Sequence, residues 1–262
     1  MPRRTRPQIG CGGPTTAAST GRPSPSRPTA ARVPTTYGGQ GIIGSRPDPI
    51  PVLYGWDRLL VGDGQGGYAD VTPARVEGSA DESVEDALFL DQDHGFAVVV
   101  NVQALAAWVL RTADGGRTWA TTAYRGGYSM HAGTSLRLSA TDPDHAWTIF
   151  TVPPSGSAGL IARTDDGGDT WSDAGEMPAS GPLRFVDRRR GFVTAEAGWG
   201  GHAFYATKDG GATWTQPALA LPAGVAADQV TFDPPRFFGP RGILPVRIGY
   251  TIPVPGGPLR HR

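Results

Sequence analysis

The chain has 262 residues, 24 of them basic and 24 acidic, for a formal net charge of zero, and it has one cysteine. A single cysteine excludes an internal disulfide framework, and with no run of 18 apolar residues a transmembrane helix is excluded too. Residues 1–50 hold seven arginines and one acid and residues 236–262 hold five arginines and no acid, which leaves 12 basic and 23 acidic residues in 51–235. That acidic body would repel a phosphate backbone, so no nucleic-acid partner is expected, and the basic ends read as solvated tails.

In chain order, residues 1–49 come first. The stretch 12–36 is rich in Pro, Ser, Thr, Ala, Gly and Arg. Such a composition buries too little to fold and reads as a flexible tether. Cys11 stands just before it, and Ile9-Gly10-Cys11 resembles the end of a bacterial lipobox. Gln8 stands where a Leu is usual, and Met1 to Gln8 has no apolar core, so this is not a working signal peptide as written. The reading set slightly ahead is a start upstream with Cys11 lipidated. A start at Met1 implies a cytoplasmic protein. The segment Tyr37–Val52 is a candidate closing strand.

From residue 50 the chain becomes periodic. A degenerate turn phrase carries Asp63 and Tyr68. Three fuller copies follow: Thr112 to Trp119 with Asp114, Gly116 and Thr118; Thr164 to Trp171 with Asp166, Gly168 and Thr170; Thr207 to Trp214 with Asp209, Gly211 and Thr213. The copies start at 61, 112, 164 and 207, spacings of 51, 52 and 43 residues. A period near 40–50 residues in a Gly-rich, strand-forming chain predicts a propeller. Asp-Gly-Gly between short β-forming runs is a hairpin signal. The Asp side chains are expected to accept backbone N–H groups as turn staples, and each Trp to pack its ring into the blade. A calcium loop needs several oxygen ligands at alternate positions, and each copy offers one or two.

Each unit also opens with a strand, a polar turn and a Gly-aromatic or Ala-aromatic pair: Leu88-Phe89-Leu90-Asp91 to Gly95-Phe96, Leu136-Arg137-Leu138 to Ala146-Trp147, and Leu183-Arg184-Phe185 to Gly191-Phe192. Residues 80–87 are the best short-helix candidate. Val230-Thr231-Phe232 with Gly242 to Val246 opens a fifth unit without a turn phrase, and 247–262 reads as an irregular basic tail.

The repeated phrase resembles the Asp-box or BNR repeat. It occurs in sialidases, sortilin-type receptors, xyloglucan-degrading glycosidases and photosystem II assembly factors. With the Gly-aromatic turn it is most similar to the assembly factor-like group of bacterial exported propellers, over about residues 50–246. The resemblance implies an all-β propeller of four-stranded blades, here about four units and part of a fifth. It also implies ligands at the face opposite the boxes, where the candidate contacts are Tyr124, Tyr128, His131, Glu196, Trp199 and His202. Aromatics with Gly neighbours suit sugar stacking or protein hot spots.

A sialidase would carry an arginine in a Phe-Arg-Ile-Pro-like phrase, and Ser45-Arg46-Pro47 has the wrong order. Arg188-Arg189-Arg190 falls at the box-side turn and reads as a solvated face. A glycosidase of another kind needs paired carboxylates, and Glu196 is the only strong loop candidate. The five histidines show no metal-ligand spacing, and no cofactor motif is present. The expected function is a non-catalytic protein- or glycan-binding scaffold, exported or held in the cell envelope. Its membrane contact would run only through a lipid anchor, and it would self-associate if its ring is incomplete. The alternatives are a glycoside hydrolase of sialidase or xyloglucanase type and a truncated fragment without function.

Overall fold

Short β-branched and aromatic runs alternate with Gly, Asp and Pro turn signals, and the structure follows that alternation. This computed structural model describes residues 42–46, 50–55, 57–101, 103–127, 137–150, 159–179, 181–194, 203–226, 229–233, 235–238 and 241–249. No α-helix occurs among them. The first sheet runs β1 (Ile42–Arg46), β2 (Val52–Gly55), β3 (Leu59–Gly62), β4 (Tyr68–Asp70). The second runs β5 (Glu82–Phe89), β6 (Gly95–Asn101), β7 (Ala106–Thr112), β8 (Ala120–Gly127). The third runs β9 (Arg137–Ala140), β10 (Ala146–Phe150), β11 (Leu160–Thr164), β12 (Ser172–Glu176). The fourth has β13 (Leu183–Phe185), β14 (Gly191–Thr194) and β15 (Phe204–Thr207), with an Ala206–Thr215 bridge where a fourth strand would lie. Every pairing is antiparallel, in chain order.

The architecture is a β-propeller. The first strands of successive sheets, β5, β9 and β13, neighbour one another. Among the described residues the sheets do not close into a ring. Strand β6 is buried at all seven positions, Gly-Phe-Ala-Val-Val-Val-Asn. A central strand covered by a blade on each face needs an unbroken apolar run rather than an alternating one.

Three expectations change. Residues 80–87 are not helical: Glu82–Phe89 is the first strand of the second sheet, with Ala87 and Phe89 at 0% and 1% exposure. Local propensity loses because the strand's acids find backbone donors. Glu82 accepts the N–H groups of Val76, Glu77 and Ser79 at 2.5, 2.8 and 3.2 Å. Asp86 accepts those of Ala87 and of Leu138 on the next blade at 2.9 and 2.8 Å. The 49/50 boundary moves as well, because Ile42–Arg46 is the edge strand of the first sheet, paired to β2. In the fifth unit β16 (Val230–Phe232) pairs with β19 (Val246–Ile248), so pairing runs past residue 246. A small hairpin of β17 (Arg236–Phe238) and β18 (Arg241–Ile243) replaces the Gly-aromatic turn.

The core is divided into one apolar cluster per junction between blades. The first joins Val52, Leu59 and Val61 to Ala87, Phe89 and Trp108. The second joins Val98 and Val109 to Leu138 and Ala146, and the third joins Trp147 and Ile161 to Leu183 and Phe185. The turn tryptophans belong to these junctions rather than to their own blades. Trp119 packs edge-on to Phe89 and donates its indole N–H to Val71 O of the preceding blade at 2.8 Å. Trp171 donates to Thr122 Oγ1 at 3.2 Å.

Val71 and Thr122 lie three residues after Tyr68 and Trp119, and Ala174 lies three after Trp171. Ala174 has no hydroxyl, and the buried Trp214 Nε1 has no partner. An Ala174→Thr variant should supply the missing acceptor and gain about 1 kcal/mol in urea denaturation. No gain in the midpoint would show that the indole N–H is not reached from there.

Candidate functional site

Two faces compete for the chemistry. On one face lie the repeated turns. In the second blade Asp114 Oδ1 accepts the Thr118 N–H at 2.9 Å and Oδ2 accepts the Thr118 hydroxyl at 2.7 Å. The Thr112 hydroxyl donates to Asp114 and accepts the Gly116 N–H, at 2.9 and 2.8 Å. Asp166 and Asp209 repeat this with Thr164 and Thr170, and with Thr207 and Thr213. In the degenerate copy Asp63 Oδ1 takes the N–H groups of Gln65 and Gly67 at 2.7 and 2.9 Å, and Tyr68 opens β4 half-buried.

The Gly-aromatic turns are stapled alike. Asp91, Asp142 and Asp187 each accept two backbone N–H groups of their own turn. Backbone bonds then tie the three fuller repeated turns to the Gly-aromatic turns of their blades: Gly115 N to Asp93 O at 2.8 Å, Gly167 N to Asp144 O at 2.8 Å, Gly210 N to Arg189 O at 2.9 Å. Both turn types therefore share one face.

Donors to a carboxylate favour its charged form. The Thr170 hydroxyl, then its N–H and the Thr164 hydroxyl, bring Asp166 down to about 2. The hydroxyls of Thr213 and Thr207 and the Thr213 N–H do the same for Asp209, also to about 2. For Asp114 burial opposes the shift, but the Thr118 N–H and the hydroxyls of Thr118 and Thr112 outweigh it and the carboxyl is lowered. Free aspartate titrates near ~3.9. The native carboxyls lie below that, so the turns contribute fully above the unfolded value and lose their contribution as pH falls through the native one. The melting temperature should hold from neutrality to about pH 5 and fall between about pH 4 and 2. An Asp209→Asn variant should show a shallower fall; an equal slope would remove this turn from the titration.

The same face carries further polar groups, of which only the arginine run stands out in the sequence. His145, with its side chain 4% exposed, places Nδ1 at 2.5 Å from Asp142 and Nε2 at 3.7 Å from Asp165. Arg111 reaches across a junction, donating to Gly167 O at 2.9 Å and Asp169 Oδ1 at 2.8 Å. The run Arg188-Arg189-Arg190 is exposed at the β13–β14 turn, with Arg190 paired to Asp187 and Arg189 donating to Lys208 O. It separates two open clefts of about 670 and 800 Å³. Periodicity does not show the Arg111 and His145 contacts, since the first depends on a turn more than 50 residues away and the second on a turn's fold.

On the opposite face, of the expected ligand contacts only Tyr124 is described. It lies within β8, 5% exposed, with its ring at 5.3 Å edge-on to Trp171. The expectation of a surface contact is corrected there: the ring fills the second junction. Burial pushes its hydroxyl well above the ordinary tyrosine range. Tyr128, His131, Glu196, Trp199, His202 and Cys11 lie outside the described residues. Nearer the axis, the inner strands carry Glu85 on β5, Arg137 on β9 and Arg184 on β13. Burial raises the Glu85 carboxyl, against smaller lowering by the Ser83 hydroxyl and Arg137. No group of three metal-ligating side chains occurs among the described residues.

No family model matches the chain, and no curated protein does. Solved structures do. A YCF48 bound to a D1 peptide is 24% identical, with 52% of this chain matched to 40% of that one at a TM-score of 0.38. A protein of unknown function from Dyadobacter fermentans is 16% identical over 81% and 71% of the two chains, at a TM-score of 0.45. The NanB sialidase of Streptococcus pneumoniae, as a K499G mutant, is 12% identical over 60% of this chain and 26% of that one, at 0.40. The matched region thus spans less than half of the first and third.

Proposed function

We propose that this chain is a non-catalytic propeller scaffold that binds a protein or glycan through the face opposite its box turns, and that the repeated phrases are Asp-boxes. The observation that supports this reading is the use of the repeated acids. Asp114, Asp166 and Asp209 spend their oxygens on threonines of their own turns. The recurring residues therefore hold the frame, and recognition falls to the loops that vary between units. In this reading Tyr128, His131, Glu196, Trp199 and His202 are the ligand contacts. The protein works outside the cell or in its envelope, tethered through residues 12–36 and a lipid on Cys11.

One observation favours a second reading. Glu85 is a partly buried carboxyl on an inner strand with a raised titration point, and general acids are tuned in this way. A panel of chromogenic glycosides, including a sialoside, distinguishes the two when run beside binding to an array of glycans and peptides. Saturable binding without turnover is the expected outcome. Turnover abolished in Glu85→Gln or Glu196→Gln would replace the scaffold reading with a glycoside hydrolase.

A further inference from the structure

The repeats allow one junction to be read against the next. Where the second and third blades meet, Arg111 immediately precedes the threonine of its box and forks onto the following box turn. One arm meets Gly167 O and the other the Asp169 carboxylate, at 2.9 and 2.8 Å. Where the third and fourth blades meet, Arg163 takes the place of Arg111 and Gly210 that of Gly167. One guanidinium arm lies against the turn glycine in both. A Cβ added at Gly167 would lie 2.8 Å from Arg111 Nη1, and one added at Gly210 would lie 2.9 Å from Arg163 Nη1. The carboxylate does not repeat: Ala212 stands where Asp169 stands. Arg163 turns one arm to Asp165 at 3.0 Å, and its Nε is buried with no hydrogen-bond partner.

Arg163 also lines the cleft of about 670 Å³, together with Arg188, Arg189, His145, Asp144, Asp165 and Asp209. Arg188 is exposed and has no hydrogen-bond or ion-pair partner among the described residues. Asp209 is occupied by its own turn. We infer that this cleft is a binding site for a carboxylate group supplied by a ligand, which stands at Arg163 and Arg188 where Asp169 stands at Arg111. Guanidinium groups favour carboxylates through paired N–H donors. The three aspartates of the lining set the charge of the guest. They offset the three arginines and leave the lining, which also holds His145, without the positive excess that a phosphate dianion needs, so a monoanion is the better guest. The site is independent of the loops on the opposite face, and its test does not depend on them.

The experiment is thermal denaturation of the whole chain with acetate, inorganic phosphate or chloride at matched ionic strength and pH 7, followed by titration monitored by NMR. Acetate should raise the melting temperature saturably, and phosphate and chloride should not. Ala212→Asp supplies the carboxylate in cis. It should melt higher than the parent without acetate and lose the acetate response. Arg188→Gln, a surface change that keeps the fold, should lose most of the acetate response. Two further probes separate the sources of the carboxylate. A tighter response to a blocked aspartyl peptide identifies an acidic protein segment, and a tighter response to glucuronate identifies an acidic sugar. Equal shifts from acetate and chloride, a larger shift from phosphate, or an Ala212→Asp protein that still responds to acetate would each overturn the assignment.

Discussion

A Trp147→Ala variant should lose about 3–5 kcal/mol of stability, a large share of what a domain of this size holds. Trp147 is fully buried at the third junction and stacks on Phe185 with ring centroids 4.0 Å apart and planes 6° from parallel. Its indole N–H donates to Gly210 O at 3.1 Å, so the ring also fixes the fourth blade's box turn. Removing it leaves a cavity between blades and strands a carbonyl. Trp147→Phe keeps a ring for the stack and loses the donor and part of the ring's volume, and should cost about 1–3 kcal/mol. Urea titration followed by far-ultraviolet circular dichroism measures both. A Trp147→Ala protein within 1 kcal/mol of the parent would mean that the junction is not held through this ring.

The frame of this protein was legible in its sequence because turn chemistry is local. Asp114, Asp166 and Asp209 sit two residues after one threonine and four before another, and that spacing lets one carboxylate take both threonine hydroxyls and the N–H of the second threonine. The shared face of the two turn types also followed from counting strands. Contacts across a junction were not legible. Trp119 and Trp171 read as blade residues, yet their indoles reach back 48 and 49 residues. Tyr124 reads as a loop aromatic, yet it is sealed against Trp171. Glu82–Phe89 has helix-forming residues but lies as a strand, because the donors that satisfy its acids are the N–H groups of Val76, Glu77, Ser79 and Leu138. None of those partners is visible as a pattern.

The same division governs the candidate sites. The repeated aspartates read as turn staples, and their oxygens are consumed by their own turns. The Arg163 cleft carries no motif, and it emerges only when Arg111 and Asp169 are placed beside Arg163 and Ala212. In a repeat protein each unit contacts its neighbours alone. A residue that breaks the repeat therefore leaves a local gap, and the gap can be read by comparison with the intact junction.

Gly168→Ala should be among the most damaging single-methyl changes at the described glycines, at about 2–5 kcal/mol. Two costs combine. The backbone at Gly168 has φ +99°, a left-handed conformation that side chains resist. The added Cβ would also lie 2.5 Å from Cγ2 and 2.7 Å from Cβ of Thr122 on the preceding blade. Thr122 cannot yield, because its hydroxyl donates to Val109 O at 2.9 Å and accepts the Trp171 N–H. Gly64 separates the two costs: it has φ +74° in the degenerate turn, and a Cβ there meets nothing within 4 Å. Gly64→Ala should therefore cost only the conformational part, about 1–2 kcal/mol. The difference between the variants is the price of forcing two blades apart by one methyl group. If they lose equal stability, the glycine serves its turn alone, and the close approach of β8 to the next box plays no part in holding the blades together.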